Sequence, residues 1–293
     1  MSTAPEAPRI AVVTDVHHGW PSGTMPGDRS LAVLEGIVER LNALPDGERP
    51  HLLVEMGDRI MDRDRTGDLE RQAEVAAVLS RLSIPRYHLL GNHDVATLSA
   101  EDNAGVLGQP MTSASLDLPG WHLVLWRCNP VLTPRGFNLA PGDLEWLEAD
   151  LACTKLPSVV FTHAPFSGAS VTGNYYFENF PELAGYADGH LAREVVERHQ
   201  VALCVSGHLH WTSLHTSGGV HHLTVQAVAE SYATSPHPAE AWAVITLGER
   251  IDVRVHGRQQ PSFSLPVREP GRQWRRMPAE DVASVRRSLD ERA

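Results

Sequence analysis

The sequence predicts a mixed α/β domain, and three observations carry that reading. Short β-branched runs alternate with helix-period stripes up to about residue 205. From residue 219 on the pattern changes to strands without helices, near 220–228, 240–247 and 251–256. Several of the buried runs also end abruptly in clusters of Asp, Asn and His. Helices alternating with strands early, and antiparallel-looking strands late, fit within one mixed domain.

Taken in order, Ile10-Ala11-Val12-Val13-Thr14 reads as a strand buried on both faces that ends at Asp15. The Gly- and Pro-containing stretch from His18 to Arg29 suits a surface loop. Ser30 can cap a helix through about Leu44, because Leu31, Leu34, Ile37, Val38 and Leu41 form an apolar stripe. His51-Leu52-Leu53-Val54 is a second strand leading to Gly57-Asp58, and a charged run, Arg59 to Asp68, precedes a helix over roughly 68–82. Tyr87-His88-Leu89-Leu90 is a third strand, broken by Gly91-Asn92-His93-Asp94. Residues 97–120 read as irregular, 121–127 as a strand, and Pro141-Gly142-Asp143 as a helix start with acids in its first turn, where the dipole favours them. Ser158-Val159-Val160-Phe161 ends at His163, and a segment of Gly and aromatics follows over 166–187. A helix near 189–199 then precedes the strand Val201–Val205, which runs into Gly207-His208-Leu209-His210. The tail after Gly257, rich in Pro and Arg, sets a boundary between a domain at 1–256 and an extension at 257–293.

Composition excludes some classes. The 293 residues are 42% hydrophobic, ordinary for a globular chain, and the formal net charge of −11 argues against a polyanion partner such as nucleic acid. Cys128, Cys153 and Cys204 are scattered without ligand spacing and read as reduced thiols. No apolar run is long enough for a membrane span and the N-terminus lacks a targeting pattern, so a cytoplasmic protein with no membrane partner is expected. Self-association is left open.

The chemistry collects where strands end. Asp15, His17, Asp58, Asn92, His163, His208 and His210 supply two carboxylates, one amide and four imidazoles. That donor mixture suits borderline divalent ions such as Mn, Fe, Co or Zn, not an all-oxygen Ca or Mg cage. Seven ligands are too many for one ion and about right for two if one carboxylate bridges. In the Asp-x-His and His-x-His pairs, residues i and i+2 of an extended segment face the same side.

The ordered set Asp15-x-His17, Gly57-Asp58, Gly91-Asn92-His93-Asp94, His163 and Gly207-His208-x-His210 resembles the calcineurin-like metallophosphoesterases, over about residues 9–250. It looks closest to the class III cyclic-nucleotide phosphodiesterase and glycerophosphodiesterase branch. Residues 121–147 are also similar to the manganese-dependent ADP-ribose/CDP-alcohol diphosphatases. The resemblance implies a four-layer α/β/β/α sandwich of two mixed sheets flanked by helices. It implies one ion on Asp15, His17, Asp58 and His210, and a second on Asp58, Asn92, His163 and His208. The expected activity is hydrolysis of a small-molecule phosphate ester, foremost a phosphodiester, by in-line attack of a metal-bridging hydroxide. A pyrophosphatase or phosphomonoesterase, or a non-catalytic scaffold on the same fold, are the alternatives. His93 is expected to donate a proton or contact phosphate, with Asp94 as a second catalytic residue. In the phosphatase branch a second acid stands three residues after the bridging aspartate; here that place is Met61, with Asp62 one step late. Either Asp62 or Asp94 takes that part, or His93 works without an anionic partner, and the favoured reading of Asp62-Arg63-Asp64 is a solvated charge run. Arg59, His18, Tyr175 and Tyr176 are the expected substrate contacts.

Overall fold

A computed structural model describes residues 6–269 and 279–290. The chain opens with β1 (Arg9–Val13), a two-strand ribbon β2 (Pro21–Ser22) and β3 (Met25–Pro26), and α1 (Gly27–Ala43). It continues through β4 (Leu52–Glu55), α2 (Arg65–Leu79), β5 (Arg86–His88), α3 (Ala100–Leu107), β6 (Ala114–Leu118) and β7 (Trp121–Leu125). A second ribbon, β8 (Leu132–Thr133) and β9 (Gly136–Phe137), precedes α4 (Asp143–Ala152), β10 (Ser158–Phe161), α5 (Gly189–Arg198) and β11 (Val201–Ser206). The remainder is β12 (Ser213–Ser217), β13 (Val220–Thr224), β14 (Trp242–Leu247), β15 (Arg250–His256), β16 (Ser262–Pro266) and α6 (Ala279–Asp290).

Two six-stranded mixed sheets form, in the orders β16-β15-β14-β1-β4-β5 and β12-β13-β11-β10-β7-β6. Within the first, β1, β4 and β5 run parallel and β14 to β16 antiparallel. Within the second, β7, β10, β11 and β13 run parallel. The sheets pack face to face on Ile10, Val12, Leu52 and Val54 from one and Leu123, Val159, Phe161, Leu203 and Leu223 from the other. The alternate residues of the same strands face outward. Ala11, Val13 and Leu53 meet Leu34, Ile37, Val38 and Leu41 of α1 and Val75 of α2, while Val124, Val160 and Cys204 meet α4 and α5. The result is the four-layer α/β/β/α sandwich. Because the parallel strands are covered on both faces, they read as continuous apolar runs.

Several local expectations need correction. Helix α1 starts three residues before Ser30, whose hydroxyl donates inside the helix to the Gly27 carbonyl at 2.7 Å. Residues 97–120 are not irregular: they hold α3, opened by a reciprocal Ser99–Asp102 capping box, and the edge strand β6. The boundary expected at 256 also falls inside a sheet. Strand β16 pairs with β15 from Arg250↔Pro266 to Arg254↔Ser262, and Leu265 enters the inter-sheet core. Other parts of the expected 257–293 extension, at 270–278 and 291–293, lie outside the described residues.

Candidate metal centre

The carboxyl ends of β1, β4, β5, β10 and β11 converge, three from one sheet and two from the other. Each chain turns sharply there, and the turns are conformationally demanding. Among the described residues six non-glycines have positive φ, and five of them are Asp15 (54°), His17 (48°), Asp58 (54°), His208 (65°) and His210 (57°). Such left-handed backbone costs about 1–3 kcal/mol per residue and persists only where the surrounding structure over-determines it. Two glycines let the loops close on one another. A Cβ at Gly91 would lie 2.1 Å from Asp58 Oδ1, and one at Gly207 would lie 2.0 Å from Thr14 Oγ1 and 2.5 Å from Asp15 Oδ2.

The seven expected ligands come together in two overlapping groups. His17 Nε2 stands 3.9 Å from Asp15 Oδ1, 3.7 Å from Asp58 Oδ2 and 3.1 Å from His210 Nε2, and His210 Nε2 is 3.6 Å from Asp15 Oδ1. On the other side His163 Nε2 lies 3.3 Å from Asp58 Oδ2 and 3.4 Å from Asn92 Oδ1, with His208 in the same cluster. Asp58 therefore faces both groups, which is where a bridging carboxylate belongs.

The donor chemistry fits a pair of ions. Three histidines have their outward nitrogen anchored: His163 Nδ1 donates to the Met56 carbonyl at 2.9 Å, His208 Nε2 to the Leu183 carbonyl at 3.0 Å, and His210 Nδ1 to Glu230 Oε2 at 3.2 Å. Such outer partners fix the tautomer, leaving the inward nitrogen with a lone pair for an ion. The charges also call for cations. Burial alone would raise Asp15, yet His210 beside it holds the carboxyl down at about 2. Burial works to lower His163 and His210, but Asp58 draws the first up to about 9 and Asp15 with Glu230 draws the second up to about 10. His17 and His208, buried beside other imidazoles, are pushed down to about 3 and about 4. The carboxylates Asp15, Asp58 and Glu230 thus draw positive charge toward the imidazoles, the charge that divalent ions would supply there.

His93 stands beside this cluster. Its backbone N–H donates to Asp58 Oδ1 at 2.8 Å, its ring meets His17 edge-on at 4.7 Å, and its Nδ1 pairs with Asp62 Oδ1 at 2.5 Å. Burial lowers its pKa, but Asp58 and Asp62 outweigh burial and hold it above the ordinary value. Asp62 is accordingly the anionic partner of His93, not part of a solvated run, and the following Asp64 caps α2. The side chain of Asp94 does not approach His93 in that way. It is fully buried and accepts from the backbone N–H groups of Asp58 (2.9 Å), Arg59 (3.0 Å) and Gly91 (2.9 Å) and from Gln72 Nε2 (2.8 Å). Asp94, expected as a catalytic residue, ties the 57–59 and 91–93 loops together through these bonds.

Arg59 also leaves the expected list of substrate contacts. Its side chain is 0% exposed and spent on Glu55 (2.5 Å), Asp94 (3.0 Å), Gln72 Oε1 (2.8 Å) and the Leu89 carbonyl (2.7 Å). Removing one member of a buried charge pair leaves its partners uncompensated, at a cost of about 3–5 kcal/mol. Arg59→Met is therefore expected to lower the urea midpoint by that equivalent, and a change confined to KM with unaltered stability would restore the contact reading. His18 is drawn to Glu74 of α2, with Nε2 2.6 Å from Oε2. Tyr176 turns inward, its hydroxyl donating to Glu230 Oε2 at 2.8 Å, whereas Tyr175 is 55% exposed and stacks on Tyr232 with ring centroids 6.0 Å apart. Of the four expected contacts, Tyr175 is the most exposed.

Sequence reasoning missed Glu230. Its signal was weak but present: the buried run Val225 to Ala229 ends in a polar residue, as the runs before the expected ligands do.

A family model described as calcineurin-like phosphoesterase matches residues 8–212. The chain belongs to the calcineurin-like phosphoesterases. It is accordingly a metal-dependent phosphoester hydrolase, and the family implies a pair of divalent ions where the two ligand groups overlap. Among solved structures, the calcineurin-like fold is shared with a dimetal phosphatase from Danio rerio, 17% identical, at a TM-score of 0.72, covering 90% of this chain and 100% of that one. It is also shared with GAP50, the anchor in the inner membrane complex of Plasmodium, 12% identical, at a TM-score of 0.59, covering 91% of this chain and 90% of that one. No curated protein matches the chain. Among the described residues no helix is long and apolar enough to cross a membrane.

Proposed function

We propose that the protein hydrolyses a small-molecule phosphodiester with two transition-metal ions, Mn, Fe, Zn or Co, held by Asp15, His17, Asp58, Asn92, His163, His208 and His210. The observation that carries the reading is the pair of ligand groups sharing Asp58, with His93 and Asp62 at their edge. Ions bound there would activate water and neutralise charge on the phosphoryl oxygens. The chain's own residues do the rest. His93 gives a proton to the departing oxygen, and Asp62 holds the ring by Nδ1 so that Nε2 is the acid. Asp94 and Arg59 keep the 57–59 and 91–93 loops in register behind the reacting atoms.

The charge near the centre supports a diester. With Arg59 buried, Asp58 and Asp62 favour the protonated form of His93 beside the ligand groups, and a monoanionic diester asks less positive charge of the site than a dianionic monoester. The formal net charge of −11 points the same way for partners, away from nucleic acid and toward a small ester. A cytoplasmic setting is in keeping with three free cysteines. One feature favours a second reading, a nucleoside-diphosphate-type pyrophosphate. Trp20 carries two guanidinium groups over its ring, Arg71 at 4.9 Å, which is paired with Asp68 at 2.8 Å, and Arg63 at 5.7 Å, which is the one that could meet a second phosphate.

A manganese-loaded substrate panel tests both. An aryl phosphodiester is expected to turn over faster than the aryl monoester, with glycerophosphodiesters and cyclic nucleotides also accepted. Equal or better turnover of the monoester moves the protein to the phosphatases, and fastest turnover of a nucleoside diphosphate derivative selects the second reading.

A further inference from the structure

The loop Gly207–His210 presents two of the proposed ligands, both with positive φ, so something must hold it in place. From one side the aromatic segment lies directly on it. Asn174 Nδ2 donates to the Leu209 carbonyl at 2.8 Å, the Tyr176 ring meets His210 at 5.0 Å and the Phe177 ring meets His208 at 4.8 Å. From the other side comes Glu230, which is 0% exposed. One of its oxygens, Oε2, accepts from His210 Nδ1 (3.2 Å) and Tyr176 Oη (2.8 Å). The other, Oε1, accepts from the backbone N–H groups of Ser231 (2.7 Å) and Tyr232 (2.9 Å).

We propose that Glu230 and the segment 174–177 form a clasp in which Glu230 is the positioning residue for His210 and for the ion that His210 would hold. The inference rests on the two-ion reading given above. Glu230 receives four donors on two oxygens, a load that a carboxylate can carry and an amide of the same shape cannot. By accepting from Nδ1–H it leaves Nε2 of His210 aimed at Asp15 and His17. The outward nitrogens of His163 and His208 reach neutral carbonyls, so among these three anchored rings His210 alone has an anionic partner. That partner makes the imidazole a stronger donor to an ion. Tyr176, tied to the same oxygen, joins the aromatic wall to this ligand and serves as part of the clasp, not as a substrate contact.

The test is a Mn2+ titration of the full chain followed by electron paramagnetic resonance, for wild type, Glu230→Gln, Tyr176→Phe, the double variant and His210→Ala. Wild type is expected to take up two ions. Glu230→Gln should weaken one of them by about 10–100-fold and leave the other within about twofold. His210→Ala should abolish that same binding event. Tyr176→Phe should cost less, and the double variant should bind like Glu230→Gln, since both changes act through one carboxylate. Should Glu230→Gln fail to fold, imidazole NMR of the zinc-loaded wild type decides. His210 should carry its proton on Nδ1, and ligation through Nδ1 would overturn the clasp. Unchanged affinities in Glu230→Gln, or equal losses at both ions with a lowered melting temperature, would overturn it as well. Saturation of the wild type by a single ion would instead sink the two-ion reading; the clasp would then stand only if Glu230→Gln weakens that ion.

Discussion

Replacing Asp58 by Ala is expected to empty both ion positions at once. Its Oδ2 lies 3.7 Å from His17 Nε2 and 3.3 Å from His163 Nε2, and its Oδ1 takes the His93 backbone N–H at 2.8 Å. Among the described residues Asp58 is the carboxylate that enters two of the clusters able to hold an ion. Ions in such a pair supply several kcal/mol of transition-state stabilisation, so turnover should fall by about 10³-fold or more. Folding should survive, because the partners of the lost carboxylate, His17 and His163, are imidazoles that can stand neutral without it, unlike a guanidinium. Elemental analysis, a hydrolysis assay and far-ultraviolet circular dichroism check the three parts. A folded Asp58→Ala chain that still holds two ions would remove the bridging role. His208→Ala makes the contrast, since its ring belongs to one group only and one ion should remain.

His93→Ala should separate catalysis from metal binding. His93 shares a third cluster with His17 and Asp58, but the seven proposed ligands do not include it, so both ions should stay. What is lost is a proton donor in the transition state, worth about 10²–10⁴ in rate. The loss should fall mainly on kcat, because an interaction made only in the transition state does not support ground-state binding. It should shrink for an acidic leaving group such as a nitrophenolate, which departs without a proton. Asp62→Ala should reproduce part of the deficit, since Nδ1 loses the partner that sits 2.5 Å away. Loss of metal in His93→Ala would make His93 a ligand. A deficit equal for good and poor leaving groups would leave phosphate contact as its role.

Residues that point into the centre were legible where periodicity could speak. Ile10–Val13, Leu52–Glu55, Ser158–Phe161 and Val201–Ser206 are short apolar strands, and a polar residue just past such a strand has one place to go. Elements at the margins were harder. Strand β6 is largely exposed and β16 buries only Leu265, so neither shows the apolar run of a central strand. Helix α3 did carry a local mark, Ser99-x-x-Asp102, but its eight residues make too short a stripe to register as periodic.

By itself the sequence determined the α/β alternation, the strand-end positions of Asp15, His17, Asp58, Asn92, His163, His208 and His210, and the balance of oxygen and nitrogen donors suited to borderline ions. These follow from local chemistry: which residues form strands, and which cannot stay inside one. The tertiary structure decided everything that depends on which distant groups meet. Arg59 looks like a free cation beside a ligand until α2 and α3 bring Gln72 and Asn103 over it and Glu55 and Asp94 take its charge. Asp62 looks one residue out of place until the loop after β4 carries it to His93. Glu230 is twenty residues from His210 and meets Tyr176 only because the aromatic segment folds back over the Gly207–His210 loop. Burial and long-range pairing are properties of the packed chain, and no window of sequence contains them.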